Sequence, residues 1–385
     1  MMRDIFDRSL KVAIVHEWFV DYSGSERVVE QLLHLFPHAD LFAVVENLPP
    51  ELKGFIQHKS VQTTFIQKLP WGKHRYQQYL PLMPLAIEQL DVSAYDLILS
   101  SAHAVSKGVL TGPDQCHVSY VHSPMRYAWD LQHQYLAESG LRWGPKGLLA
   151  RYCLHNLRQW DRLSAQGVDF FAANSKFIAR RIRKVYRRQA SVIYPPVNLE
   201  RFGLNSDNQR DDYYLAACRI VPYKRMELIV EAFSRMPNRK LVAIGDGTGL
   251  SRVKALAGPN VEVLGYQPTN RLVEYMQRAK AFVFAAQEDF GITVVEAQAC
   301  GTPVIAYGAG GALETVNGIE CDHPTGVLFS EQTVESIVTA IDTFEAKSFS
   351  VLDCRENALR FGTEQFRREF GNFLSNCWVD FWTSC

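Results

Sequence analysis

Residues 281–306 read A-F-V-F-A-A-Q-E-D-F-G-I-T-V-V-E-A-Q-A-C-G-T-P-V-I-A, and this stretch constrains the fold more than any other. Residues 281–285 form a short, unbroken apolar run, the pattern of a parallel strand buried on both faces. Gly291 marks a turn, and small and apolar residues from Ile292 onward predict a helix. Gly301-Thr302-Pro303 stops that helix, and residues 304–306 begin another strand. Strands joined through a helix imply a parallel α/β sheet. In such sheets ligands gather outside the carboxyl ends of the strands. Glu288 falls on the loop at that end, and Glu296 lies about two turns away on the helix, near enough to grip another part of the same ligand.

The same alternation recurs along the chain in two blocks. Apolar runs at residues 11–15, 41–45, 97–100, 118–121 and 170–173 predict the strands of a first block. Residues 27–36 predict its first helix from apolar spacing near 3.6. The Pro195-Pro196 break and the polar run 205–212 mark a boundary. Runs at 213–217, 240–244, 261–264, 281–285 and 304–306 then predict a second α/β series. Two doubly wound, Rossmann-like domains facing a cleft are expected, over residues 1–195 and 196–363. Residues 364–385 are expected to form an amphipathic helix, through Phe366, Phe370, Phe373 and Leu374.

A chain of 385 residues exceeds the size at which one core stops growing, which agrees with two domains. Lys and Arg total 41, as do Asp and Glu, so nothing attracts the whole molecule to nucleic acid. The eight cysteines, at 116, 153, 218, 300, 321, 354, 377 and 385, show no C-x-x-C spacing. That argues against a zinc site or a disulfide framework and for a reducing compartment. No apolar run approaches the ~18 residues of a membrane span, and the N-terminus lacks a signal core. A cytoplasmic protein is expected, at most peripheral on the inner face of the membrane.

Three further loops carry candidate chemistry. Arg219 and Lys224 lie five apart on a predicted strand-to-helix loop, where fork and point charge can converge on a diphosphate. The helix N-terminus beside them adds positive potential. Gly245-Asp246-Gly247 follows a strand, but Leu264-Gly265-Tyr266 offers no acid where a dehydrogenase needs one. His122 stands at the carboxyl end of the strand 118–121.

The two glutamates with the following A-x-A-x-G-x-P-V-I-A resemble the signature of glycosyltransferase family 4, retaining enzymes of the GT-B fold. The resemblance implies that Glu288 faces the donor sugar and Glu296 binds the ribose, with Phe290, Gly291 and Ile292 on the donor. It implies that Arg219 and Lys224 clamp the pyrophosphate, that Gly245 and Gly247 form a nucleotide loop, and that Gly265 and Tyr266 lie near the base. Ser23-Gly24-Ser25-Glu26-Arg27 resembles the family's G-G-x-E-R loop, which places Gly24 and Ser25 at the donor. Ordinary helix N-capping by Ser23 or Ser25 is the alternative. The string H-S-P-M-R-Y-A-W-D from His122 resembles bacterial O-antigen mannosyltransferases. It implies GDP-mannose as donor, His122 at the hexose, and Arg126 and Tyr127 towards the acceptor. The final helix is implied to cross back onto the N-terminal domain.

The expected activity is transfer of a hexose from a nucleotide sugar to a lipid-linked or growing glycan, with retention. Asp-x-Asp is absent from the chain, so no metal and no further cofactor is expected. A GT-B sugar-nucleotide epimerase and a non-catalytic sugar-nucleotide-binding module are the alternatives. Residues 142–188 hold twelve Lys or Arg against two acids, Asp161 and Asp169. Within them residues 176–188 predict a basic helix. Arg180, Arg181, Arg183 and Lys184 are expected to dock it on an anionic membrane surface.

Overall fold

The computed structural model describes residues 5–205 and 209–383. Residues 206–208 of the polar boundary run, and Cys385, lie outside the described residues. The chain divides into two compact units: one runs to Pro195 and resumes at Phe366, and the other is Pro196–Gln365.

The first unit is built on seven parallel strands: β1 (Val12–Phe19), β2 (Asp40–Glu46), β3 (Val61–Thr63), β4 (Leu97–Ala102), β5 (Cys116–Val121), β6 (Phe170–Ala173) and β7 (Ser191–Val192). Their order across the sheet is β3-β2-β1-β4-β5-β6-β7. Alternation along β1 sends Val12 and Ile14 to one face and Ala13 and Val15 to the other, and both faces are covered. This is why the strands read as continuous apolar runs.

The helix Thr363–Thr383 reaches the first of those faces. Phe366, Phe370, Leu374, Cys377 and Trp378 recur at helical spacing and share a core with Val12, Leu32 and Tyr120. Phe366 and Phe370 stack with centroids 5.5 Å apart, and Tyr120 meets Phe366 edge-on at 5.8 Å. Most of this helix therefore folds as part of the first unit.

The second unit holds β8 (Tyr214–Ala217), β9 (Leu241–Ile244), β10 (Val261–Gly265), β11 (Ala281–Phe284), β12 (Val304–Tyr307) and β13 (Gly326–Phe329). These are also parallel, in the order β10-β9-β8-β11-β12-β13. Each sheet reverses its winding once, between β1 and β4 and between β8 and β11. Loops diverge there and leave a crevice at the carboxyl ends of the strands.

Candidate active site

In the second unit the residues singled out by sequence converge on the switch point. Arg219 and Lys224 lie on the loop after β8, and Glu288 lies on the loop after β11, the neighbouring strand across the reversal. Lys224 Nζ forms an ion pair with Glu288 Oε1, both side chains partly exposed. The Lys224 ammonium also sits 5.4 Å from the Tyr223 ring centroid. Arg219 is exposed at the end of the same strand. Lys224 and Glu288 thus meet where β8 and β11 adjoin, with Arg219 on the same loop as Lys224, brought there by strand order rather than by sequence distance.

The neighbouring loops are laced together by backbone. Cys218 N donates to Ile244 O at 3.1 Å, Ile220 N to Asp246 O at 2.8 Å, and Gly245 N to Gly265 O at 2.9 Å. A Cβ at Gly245, whose φ is +147°, would collide with the Cys218 carbonyl. Only glycine lets the Gly245–Gly247 loop lie flat against the Arg219 loop. Gly265 ends β10, and Tyr266 beyond it is exposed.

Glu288 is held from beneath by a glycine pair that sequence reasoning did not single out. Gly311 N donates to Glu288 O at 2.8 Å, and Gly310 bridges Glu288 in parallel. A Cβ on Gly311 would run into the backbone of Phe290. The G-A-G-G string directly after β12 is the signal that could have found this support. Gly311→Ala is expected to displace the Glu288 loop and cut turnover at least about tenfold, since small misplacements at a reacting centre are costly. Steady-state kcat checks it.

Gly291, in the left-handed region with φ +86°, turns the chain into the helix Ile292–Ala299. Phe290 is buried against Phe361, centroids 5.3 Å apart, and fixes that turn. Glu296 lies in the second half of the helix and its side chain is buried.

In the first unit the carboxyl ends of β1, β4 and β5 gather three histidines. The ring of His103 lies 6.4 Å from that of His16 and 6.3 Å from that of His122. His122 Nε2 shares a hydrogen bond with Ser101 Oγ at 2.8 Å. Burial first, then the neighbouring His103 and His16, hold its pKa well below the usual histidine value, so it is neutral at pH 7. His16 Nε2 meets Glu26 Oε1 at 3.1 Å. Burial opposes ionisation of Glu26, but His16 and the Ser23 hydroxyl outweigh it and hold the carboxyl below the usual range.

Ser23 caps the helix Gly24–Leu35, and its N and Oγ donate to Glu26 Oε2 at 3.1 and 2.8 Å. Ser25 Oγ donates to the same oxygen at 2.9 Å. Helix-start chemistry therefore engages both serine hydroxyls, while Gly24 and Ser25 occupy the first helical turn after β1.

Sequence reasoning missed His16, Glu17 and His103. Glu17 is fully buried and accepts the amides of His103, Ala104, Val105 and Ser106 at 2.7–3.2 Å. Burial alone would raise its pKa, but His103 and the amides of Ala104, Val105 and His103 outweigh it. It fixes the loop that carries His103. A polar His-Glu pair inside the apolar run of β1 was the available signal. Arg126 and Tyr127 lie in the turn after β5 and are half-buried, Tyr127 packing against the same core as Met125 and Ala128.

The basic helix differs from expectation. It spans Lys176–Val185 and stops there, with Arg187 in the left-handed region at φ +59°. Its apolar residues Ile178 and Ile182 are core. Arg181 is turned onto the protein: it pairs with Asp130 and donates to Ser123 Oγ at 3.1 Å. It is therefore not part of an outward row, because a nearby carboxylate claims it. Arg180, Arg183 and Lys184 do face solvent.

Residues 22–201 match the family model "Glycosyltransferase Family 4" and residues 180–361 match "Glycosyl transferases group 1". Among curated relatives, the D-inositol 3-phosphate glycosyltransferase of Mycobacteroides abscessus is 30% identical over 173 residues, 39% of this chain and 38% of that protein. The GDP-mannose-dependent monoacylated alpha-(1-6)-phosphatidylinositol monomannoside mannosyltransferase of Corynebacterium glutamicum is 28% identical over 188 residues, 41% of this chain and 49% of that one. The chain thus spans less than half the length of either. Among solved structures, Anabaena HepE in complex with UDP and glucose superposes with a TM-score of 0.66 at 17% identity, over 95% of this chain and 99% of that one. Two overlapping family models that together span residues 22–361, and a fold shared along nearly the whole chain, lead to one conclusion: the chain belongs to glycosyltransferase family 4, with the GT-B fold.

Proposed function

We propose that the protein is a retaining hexosyltransferase that moves mannose from GDP-mannose onto a lipid-linked or growing glycan. The observation that carries this reading is the meeting of Lys224 with Glu288 across the switch point of the second sheet, with Arg219 on the same loop as Lys224. A sugar diphosphate needs cations where negative charge grows on the leaving group, and an acid that can hold sugar hydroxyls next to them. Arg219 and Lys224 supply the first, and Glu288 the second. Glu296 grips the ribose, while Phe290, Gly291 and Ile292 lie along the donor. Gly245, Gly247, Gly265 and Tyr266 serve the nucleotide end, with Gly24 and Ser25 towards its phosphates. Neutral His122 keeps the hexose-facing role that the family resemblance implies, with Arg126 and Tyr127 towards the acceptor.

The bond from the anomeric carbon to the diphosphate breaks, and the bond to the acceptor oxygen forms on the same face of the sugar. The departing diphosphate takes the acceptor's proton. Retention through a covalent intermediate would instead need a second carboxylate about 5–5.5 Å from the first, and Glu296 is assigned to the ribose. With the charge of the diphosphate carried by Arg219 and Lys224, turnover is expected to survive EDTA; loss restored by magnesium would contradict this.

The Corynebacterium relative is named for GDP-mannose, whereas HepE was solved with UDP and glucose, so base and hexose are the choices to test. A thermal-shift screen over GDP- and UDP-sugars is expected to single out GDP-mannose. A ligand at 100 times its Kd stabilises by about 2.7 kcal/mol. The same incubation is expected to release GDP slowly without acceptor, which neither an epimerase nor a binding module would do. Failure of every sugar nucleotide to stabilise the protein would overturn the reading. Glu296→Ala is expected to raise the donor KM about tenfold or more, the loss of one charge-assisted hydrogen bond. A lipid-linked acceptor would bring the enzyme to the cytoplasmic face of the membrane.

A further inference from the structure

The helix Gly144–Ser164 has an outward apolar face. Leu154 and Leu157 point inward, into a core with Met83 and Ala86. On the other side Leu148, Leu149 and Tyr152 are 71%, 63% and 65% exposed, and Trp143, just before the helix, is 79% exposed. Tyr152 lies four residues after Leu148 and three after Leu149, spacings that set its ring beside both leucines. Leu163, three turns beyond Tyr152, is exposed as well. Large apolar side chains gathered in this way mark an interaction surface rather than ordinary solvent exposure.

The exposed charges on the helix itself are of one sign, and the nearest exposed acid before it in the chain is Glu138. The exposed ionisable groups of the helix and its lead-in are Arg142, Lys146, His155 and Arg162, while its single acid, Asp161, is buried against Lys107. Arg151 and Arg158 are tied to backbone carbonyls. The loop before Met83, which shares the same core, repeats the chemistry. There Trp71 is exposed beside Lys73 and Arg75, with the Arg75 guanidinium 5.4 Å from the Trp71 ring centroid.

We propose that this face, from Trp143 to Tyr152, docks the first unit onto a bilayer of acidic phospholipid. Leucines enter the acyl boundary, Trp143 and Tyr152 lie at headgroup level, and the basic side chains meet lipid phosphates. A second copy fits the face less well, because a two-fold contact would set one basic rim against another. Among the described residues no helix is long and apolar enough to cross a membrane. Arg180, Arg183 and Lys184 on the basic helix are exposed cations with no exposed apolar anchor among them.

The test uses the full chain without donor, so its outcome is independent of the transfer reaction. Cosedimentation is expected with phosphatidylcholine vesicles that contain phosphatidylglycerol and not with phosphatidylcholine alone, and it should weaken as salt is raised. Leu148→Ser/Leu149→Ser/Tyr152→Ser is expected to lower binding at least about tenfold with an unchanged unfolding midpoint, since these side chains pack against nothing in the core. Three results would each overturn the proposal: no binding to acidic vesicles, equal binding to neutral ones, or a triple variant that binds like the parent. A parent dimer that the triple variant turns into a monomer would also overturn it and assign the face to a second copy.

Discussion

Glu288→Gln is expected to lower kcat by about 10²-fold or more while nucleoside-diphosphate affinity is kept or improved. The amide keeps the size of the side chain and removes its charge. It can still donate to a sugar hydroxyl, but it no longer stabilises positive charge developing at the anomeric carbon. Affinity moves the other way because Glu288 and Lys224 are paired across the switch point. Without the carboxylate, the ammonium is available to a diphosphate without first leaving a partner. Turnover and GDP affinity measured on the same preparation separate the two effects. Turnover equal to that of the parent would remove Glu288 from the reaction, and a large fall in GDP affinity would place it on the nucleotide instead.

Asp161→Ala is expected to be the most destabilising single change in the first unit. Asp161 is fully buried, and Lys107, 2% exposed, forms an ion pair with it. Trp129 Nε1 donates to its Oδ2 at 2.7 Å, and the Tyr186 hydroxyl lies 3.1 Å from both oxygens. Truncation leaves an ammonium and two further donors buried without their acceptor. Breaking a buried pair from one side costs about 3–5 kcal/mol. In a unit of this size that lowers the unfolding midpoint by roughly 10 °C. Lys107→Met/Asp161→Asn removes the charge from both sides and keeps an acceptor for Trp129, so it should recover part of the loss. Thermal unfolding followed by tryptophan fluorescence reads both. An unshifted midpoint in Asp161→Ala would show that the pair is not buried in solution.

Much of the fold was legible without coordinates, as were the loops that carry the candidate site. Apolar runs identified ten of the thirteen strands among the described residues, because a strand covered on both faces must be apolar throughout, whichever neighbours it has. Three strands escaped, all at sheet edges: Val61–Thr63 and Ser191–Val192 at the two edges of the first sheet, and Gly326–Phe329 at an edge of the second. Val61–Thr63 and Ser191–Val192, of three and two residues, are too short to make an apolar run, whereas the edge strand Val261–Gly265 is long enough to show one. Glu288, Arg219 and Lys224 could be singled out because each lies on a loop after a predicted strand, and Glu296 because it lies on the helix that joins two of them.

What the sequence by itself determined is the alternation of strand and helix, the two blocks, and which loops carry acids and cations. Those properties depend on neighbours a few residues apart, where spacing and side-chain type are decisive. Tertiary structure alone decided which loops meet. Strand order sets Lys224 beside Glu288, His16 beside His103, and Gly311 beneath the Glu288 loop. It also turned Arg181 onto Asp130 and left Leu148, Leu149 and Tyr152 outside. The physical reason is that parallel pairing joins segments tens of residues apart. A side chain's partner or exposure then depends on what the sheet and its covering helices bring alongside, which no local pattern encodes.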